Sequence, residues 1–443
     1  MPQAAATTSL VRGFRRWDLV ALMINVAIGA GIFGLPSKVF SLSGTYSLLA
    51  FLVCALLVLL IILCFAEVSS RFTETGGVYL YARNTFGPIV GFEMGWFMWL
   101  QRLTGFAALS NLFVSYSSYF WPMATSGLGR TAIITLITVS LATVNVIGIR
   151  ETAVVNNAFT IAKLIPILLF LSAGLFFINP DQYSFVPELS YESFSTSVFL
   201  LVFAFGGFEV AVTPAGEMKD PRRNLPFAML LAQGVVALIY ILIQFVCIGT
   251  LPQLASSETP LADASSRFLG AAGASIISAG ALISIFGTLH ANMFTGPRLL
   301  FAMAEWGQLP RMLSSTHRRF HTPHVAILLS SALMLAVALS GTFIYAVTIT
   351  VMSRLITYGV TCAALPALRR KGVEQTAVFK VPAGAYVSFS ALILCGWLLS
   401  NSTWRESRDL GIAAAVGLLI YIIYKVKRRE SLWDRAIDPA STV

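Results

Sequence analysis

Residues 25–36 read NVAIGAGIFGLP. From Gly29 to Pro36 the chain spends three glycines and a proline inside its first long apolar run, where a segment in lipid must satisfy its own backbone hydrogen bonds. The triplet Gly29, Gly31, Gly34 has two readings. Small residues let membrane helices approach closely, and glycines also mark a helix that is interrupted. Taken alone, one such span favours packing.

The rest of the composition fixes the setting. Of 443 residues, 57% are apolar and only 11% charged, and the mean hydropathy is +0.79. That is too oily for a soluble globule, so an integral membrane protein is expected. Runs near the roughly 20 residues a helix needs to cross hydrocarbon fall at 17–44, 46–68, 88–119, 131–148, 153–178, 194–217, 226–250, 273–304, 324–340, 343–367, 384–400 and 410–426, which makes twelve spans in an all-α polytopic fold. The first run is longer than the apolar core of a signal peptide and is followed by more spans, so it is not read as cleavable.

Loop charge sets the orientation. With the N-terminus in the cytosol, the inside segments hold Arg12, Arg15, Arg16, Arg71, Arg83, Arg150, Lys219, Arg222, Arg223, Arg369, Arg370 and Lys371 among others, and the outside segments hold Arg130, Arg267, Arg405 and Arg408. Both termini are therefore expected to be cytosolic, with tails at 1–16 and 427–443. The net charge of +10 is scattered over these segments, not gathered on one face, which argues against nucleic acid as a partner. Cys54, Cys64, Cys247, Cys362 and Cys395 all fall in spans, with no CxxC and no His at ligand spacing. Neither a metal site nor another cofactor is expected.

Span 6 changes the reading of span 1. It carries FAFGGFEVA, residues 203–211, with a glycine pair at its middle and Glu209 two residues on. Interrupted spans at positions 1 and 6 suggest two five-helix units, 17–178 and 194–368, related by an inverted repeat, because an odd number of helices reverses a unit's direction. Helices 11 and 12, at 384–426, stand outside the repeat. Unwinding at Gly29–Gly31 would point the freed amides at the start of span 1's outer half toward the bilayer midplane, and unwinding at Gly206–Gly207 would point there the freed carbonyls that end the outer half of span 6. One pole attracts an anion and the other a cation. An α-amino acid offers both charges at fixed separation, so Ile28, Gly29, Ala30, Gly31, Ile32, Phe203, Ala204, Phe205, Gly206, Gly207 and Phe208 are the expected substrate-binding residues.

These motifs resemble those of the amino acid–polyamine–organocation (APC) superfamily of permeases. GAGIFGLP is similar to that family's G[SA]GIF break in span 1, and AFGGFE to its span 6 break. ETGGVYLYARNTFG (74–87), GEMKDPRRNLP (216–226) and GPRLLFAMAEWGQLP (296–310) resemble its segments after span 2, after span 6 and at the end of span 8. Glu305-Trp306 departs from the Arg-Asp pair usual there. The resemblance implies a LeuT-like 5+5 inverted repeat, broken helices 1 and 6, and amino acid transport across the plasma membrane, or the inner membrane of a bacterium.

Charges inside spans are expensive and default to function. Lys163 lies well inside span 5, in NNAFTIAKLIPI. In several proton-coupled members of the resembled family a Lys at this place fills the volume where sodium-coupled relatives hold an ion, so Lys163 is the proton-coupling candidate. The alternative is a brace on the carbonyls freed at the span 1 break. Arg102 of span 3 and Arg354 of span 10 need partners, and Glu209 and Glu93 are the carboxylates placed well inside spans. A Glu209 pair with Arg102 or with Arg354 is open, as gate or as structure. In the resembled family an acidic residue at the Glu209 place has a gating and proton-sensing role in some exchangers.

Phe203, Phe205 and Phe208 around the break favour neutral or hydrophobic side chains, while Glu209 could equally welcome a cationic one. The expectation is a secondary active, proton-coupled amino acid transporter working by alternating access, as monomer or homodimer. The alternatives are an amino acid or amine exchanger and, from another class, a transport-dead sensor. A sensor's expected signature is an appended cytosolic domain, for which tails of 16 and 17 residues leave no room. An enzyme is not expected: no nucleophile set converges within the spans, and no GxxxxGK[ST] cradle is present.

Overall fold

The computed structural model describes residues 15–74, 76–148, 153–185, 189–213, 215, 218–370 and 376–427. The tails before 15 and after 427, Arg150, Lys371 and the Gly216-Glu217 pair lie outside the described residues.

The described chain runs α1 (Arg16–Ala27), α2 (Ala30–Ser43), α3 (Ser47–Ser69), α4 (Gly77–Phe86), α5 (Pro88–Ser117), α6 (Gly127–Ile147), α7 (Ala153–Gly174), α8 (Tyr191–Phe205), α9 (Phe208–Ala211), α10 (Pro221–Thr250), α11 (Pro260–Glu305), α12 (His324–Ser340), α13 (Phe343–Arg370), α14 (Gly384–Leu399) and α15 (Trp404–Lys427). α3 is apolar around nearly its whole circumference, as expected of a buried or membrane-spanning helix, with Glu67 near its end. Pro88, Pro221 and Pro260 each open a helix in the first turn, where the missing N–H has no partner to lose.

By length and apolar composition, seven stretches of the described residues are able to cross a membrane: Gly31–Ser69, Gly127–Ile147, Tyr191–Ala211, Pro221–Thr250, Pro260–Glu305, Phe343–Arg370 and Trp404–Lys427. Ile161–Phe177, His324–Ser340 and Gly384–Leu399 are shorter apolar helices. α5 falls outside that set although it is 30 residues long; Glu93, Gln101, Arg102 and Asn111 dilute its hydropathy. The molecule is an all-helical, multi-pass membrane protein.

Two elements were not expected from the sequence. α4 folds inside the segment taken as a loop after span 2. α11 extends back to Pro260, ahead of the expected start at 273, but Gly270 (φ +64, ψ −161) turns the chain sharply within it, so residues before Gly270 form a separate arm. The positive φ explains the glycine.

α5 sits at the centre, against α11, α13 and α12, and α3 lies along α10, α8 and α13. Between these, the two interrupted segments cross: α1 touches α9, and α2 packs along α8. The contact is close because Gly31 has no Cβ; one placed there would lie 2.4 Å from Cα of Ala204. Both readings of the glycine triplet hold, with Gly29 at the interruption and Gly31 at a backbone contact.

Candidate functional site

α1 stops at Ala27. Ile28 (ψ 81°) and Gly29 (φ −124°, ψ −147°) leave the helical region, and α2 restarts at Ala30. α8 stops at Phe205; Gly206 is extended and Gly207 takes φ +120°, a conformation L side chains rarely adopt, before α9 begins at Phe208. The second interruption falls at the expected Gly206–Gly207, whereas the first lies at Ile28–Gly29, with Gly31 already inside α2 and not unwound as expected.

Each interruption releases carbonyls that buried backbone cannot leave unpaired. Lys163 Nζ donates to Asn25 O at 2.8 Å and to Ile28 O at 3.1 Å, and Ser284 Oγ donates to Ile28 O at 3.3 Å. The Tyr240 hydroxyl lies 2.6 Å from Ala27 O and 3.3 Å from Ala204 O, so one side chain bridges both broken segments. Arg354 Nη1 donates to Phe203 O at 2.9 Å. Lys163 is 2% exposed and its two contacts are the brace geometry anticipated as the alternative to coupling.

Glu209 is fully buried. Its Oε2 accepts from Gly207 N at 2.7 Å and from the Tyr358 hydroxyl at 2.8 Å, and its Oε1 stands 3.2 Å from Arg354 Nε. The partner of Glu209 is therefore Arg354. Arg102 Nη1 instead donates to Asn292 Oδ1, at 3.4 Å. Glu93 lies nine residues before Arg102 on α5, about 13 Å along the axis, and the structure does not bring it to this cluster; its Oε1 is buried without a hydrogen-bond partner.

The side chains enclose a cavity of about 60 Å³ lined by Val26, Ala27, Gly29, Gly31, Gln101, Arg102, Gly105, Leu109, Phe203, Gly206, Val210, Thr288, Ala291, Asn292, Thr295 and Arg354. That is room for a few waters. Of the three phenylalanines around the break, Phe203 lines the cavity. Phe205 packs its ring on Phe51 and Tyr240, and Phe208 on Phe65 and Tyr358.

Tyr240, Tyr358 and the polar face of α11 were missed by sequence reasoning. Ser284, Thr288, Asn292 and Thr295 recur at intervals of four, four and three residues, the spacing of one helical face, and that periodicity was the available signal. Also missed was Glu67, fully buried near the end of α3. It accepts from Arg369 Nε and Nη2 at 2.7 and 2.5 Å and from Val381 N at 2.8 Å, tying α3, α13 and the segment leading to α14. At the far end of α2, Lys38 pairs with Glu258 at 3.0 Å beside a second cavity of about 540 Å³ that Arg130 and Phe343 also line.

Two interrupted helical segments thus lie side by side at one cavity inside a multi-pass helical protein. A family model described as amino acid permease matches residues 14–422, and this chain belongs to that family, within the APC superfamily. It is 30% identical to the methylthioribose transporter of Bacillus subtilis (strain 168), covering 96% of each chain. It is 30% identical to the serine/threonine exchanger SteT of the same organism over 93% of this chain and 96% of that one, and 27% identical to its branched-chain amino acid permease BcaP over 95% of each.

Proposed function

We propose that the protein is a secondary active amino acid transporter that works by alternating access, with the substrate head group held between the α1–α2 and α8–α9 interruptions. The observation that carries this is the pair of opposed helix ends at one cavity. The first amides of α2 offer partial positive charge and the last carbonyls of α8 offer partial negative charge, 0.5 elementary charge being the approximate size of each. A zwitterionic head group complements both. Permease relatives in the family support the amino acid as substrate.

In this reading the chain crosses the membrane twelve times with both termini in the cytosol, and residues 17–178 and 194–368 form the two inverted units. Lys163 couples transport to protons: its ammonium holds Asn25 O and Ile28 O, so its protonation state is linked to the geometry of the α1–α2 interruption. Uptake with protons is the leading mode.

Exchange is the second reading. The Arg354 guanidinium occupies the carbonyl pole in the unloaded site, so the support for exchange comes instead from a relative of this chain named as a serine/threonine exchanger.

A thermal-shift screen of the purified protein against the twenty amino acids tests the reading, since a ligand that binds the folded state stabilises it. At least one amino acid should raise the melting temperature and be taken up by proteoliposomes. No shift and no uptake with any of them would reject it.

A further inference from the structure

The wall of the central cavity is unbalanced in charge. Among the described residues that line it, Arg102 and Arg354 are charged and no carboxylate is present. Arg354 is answered by Glu209 from behind the α8–α9 interruption, at 3.2 Å. Arg102 makes no ion pair of its own among the described residues, and the single Glu209 carboxylate stands against two guanidiniums. Arg102 is 6% exposed, its Nη1 meets only the neutral Asn292 amide at a long 3.4 Å, and its Nε has no hydrogen-bond partner. The neighbouring Gln101 Oε1 is likewise buried and unpartnered, its amide nitrogen being engaged by Thr357 at 3.2 Å.

A buried cation without a directly paired counter-charge is costly, and a guanidinium is far more costly to strand than to pair. A zwitterionic amino acid adds no net charge and leaves the imbalance in place. A guest with one further negative charge removes it. The planar fork of an arginine binds a carboxylate with two parallel hydrogen bonds, which a neutral side chain does not reproduce.

Resting on the transport reading above, we propose that the substrate is an amino acid with an anionic side chain, whose second carboxylate pairs with Arg102. Its α-carboxylate then meets the first amides of α2, which border the same cavity at Gly29 and Gly31. Arg102 is thus a specificity residue, and it supersedes the phenylalanines around the interruption, of which Phe203 alone reaches the cavity. A small inorganic anion carries the same charge and is the other source of the missing counter-ion.

The test uses the full chain in detergent and in proteoliposomes, wild type beside Arg102→Gln and Arg102→Lys, with glutamate, aspartate, leucine, serine and arginine as probes, each in chloride and in gluconate buffer. Glutamate or aspartate should stabilise and compete for uptake about tenfold or more better than leucine or serine, in both buffers. Arg102→Gln should remove that advantage, and Arg102→Lys, which keeps the charge but not the fork, should restore part of it. Neutral or cationic amino acids matching or beating the acidic ones on the wild type would overturn the proposal while leaving transport intact, and this comparison stands even if a variant does not fold. A chloride-dependent shift that acidic amino acids do not add to would overturn it too, by assigning Arg102 to an inorganic anion. Failure of every amino acid to shift or enter would instead reject the transport reading.

Discussion

Arg354 of α13 and Glu209 of α9 stand 3.2 Å apart at the α8–α9 interruption, and the same guanidinium reaches back to the last turn of α8 through Phe203 O at 2.9 Å. One side chain therefore spans the gap in the broken helix. Gly206 makes room for it: a Cβ there would lie 2.2 Å from Arg354 Nη1.

Breaking a buried ion pair from one side leaves the other charge stranded and costs about 3–5 kcal/mol. Glu209→Gln should therefore lower stability by that order, read as a fall in melting temperature in detergent. Arg354→Gln added to it should cost much less than the sum of the two single changes. Additive losses would show that the pair is not coupled.

Lys163→Ala removes the donor shared by Asn25 O and Ile28 O, of which Ile28 O retains Ser284. In proteoliposomes, an inward proton gradient should raise wild-type uptake above uptake without a gradient, and the variant should lose that difference while retaining some substrate binding. Equal uptake with and without the gradient in both proteins would remove Lys163 as the coupler and leave it a brace.

At Gly31 the packing argument is sharper. A methyl group would sit 2.4 Å from Ala204 Cα and 2.6 Å from its Cβ, so α2 and α8 must separate. Overpacking of this kind costs about 1–3 kcal/mol. Gly31→Ala should be less stable by that amount and nearly inactive in uptake, whereas Gly105→Ala, with only Asn292 at 3.7 Å, should retain its stability.

Tyr240→Phe keeps the ring on Phe205 but deletes the hydroxyl between Ala27 O and Ala204 O. The loss of a buried hydrogen bond is worth about 1 kcal/mol. Substrate affinity should fall with little change in expression, measurable by competition binding; unchanged affinity would mean that the bridge does not set the spacing of the interruptions.

The interruptions were legible only as a pair: the glycines of span 1 alone favour packing, and the Gly206–Gly207 pair in span 6 turns the reading toward broken helices, which the structure shows at Gly29 and at Gly206–Gly207. Helix limits were equally legible wherever hydropathy changes abruptly, as at α12, which spans the expected 324–340. Pairings were not. Whether Glu209 meets Arg102 or Arg354 depends on how α5 and α13 are rotated about their axes, and hydropathy does not encode rotation when every face is buried. Glu67 escaped notice for a related reason: at the end of an apolar run it reads as a solvated residue, and its burial follows from the segment at Val381 folding back over it. Tyr240 was hidden because an aromatic ring in a span reads first as packing surface, and its hydroxyl becomes informative only beside unpaired carbonyls.

The most direct measurement is a structure determined with a transported amino acid bound. The account predicts its α-carboxylate at the first amides of α2, beside Gly29–Gly31, with its ammonium facing the carbonyl end of α8 at Gly206–Gly207. An amino acid seated elsewhere, for instance in the larger cavity beside Lys38 and Arg130, with α1–α2 and α8–α9 continuous through their glycines, would contradict it.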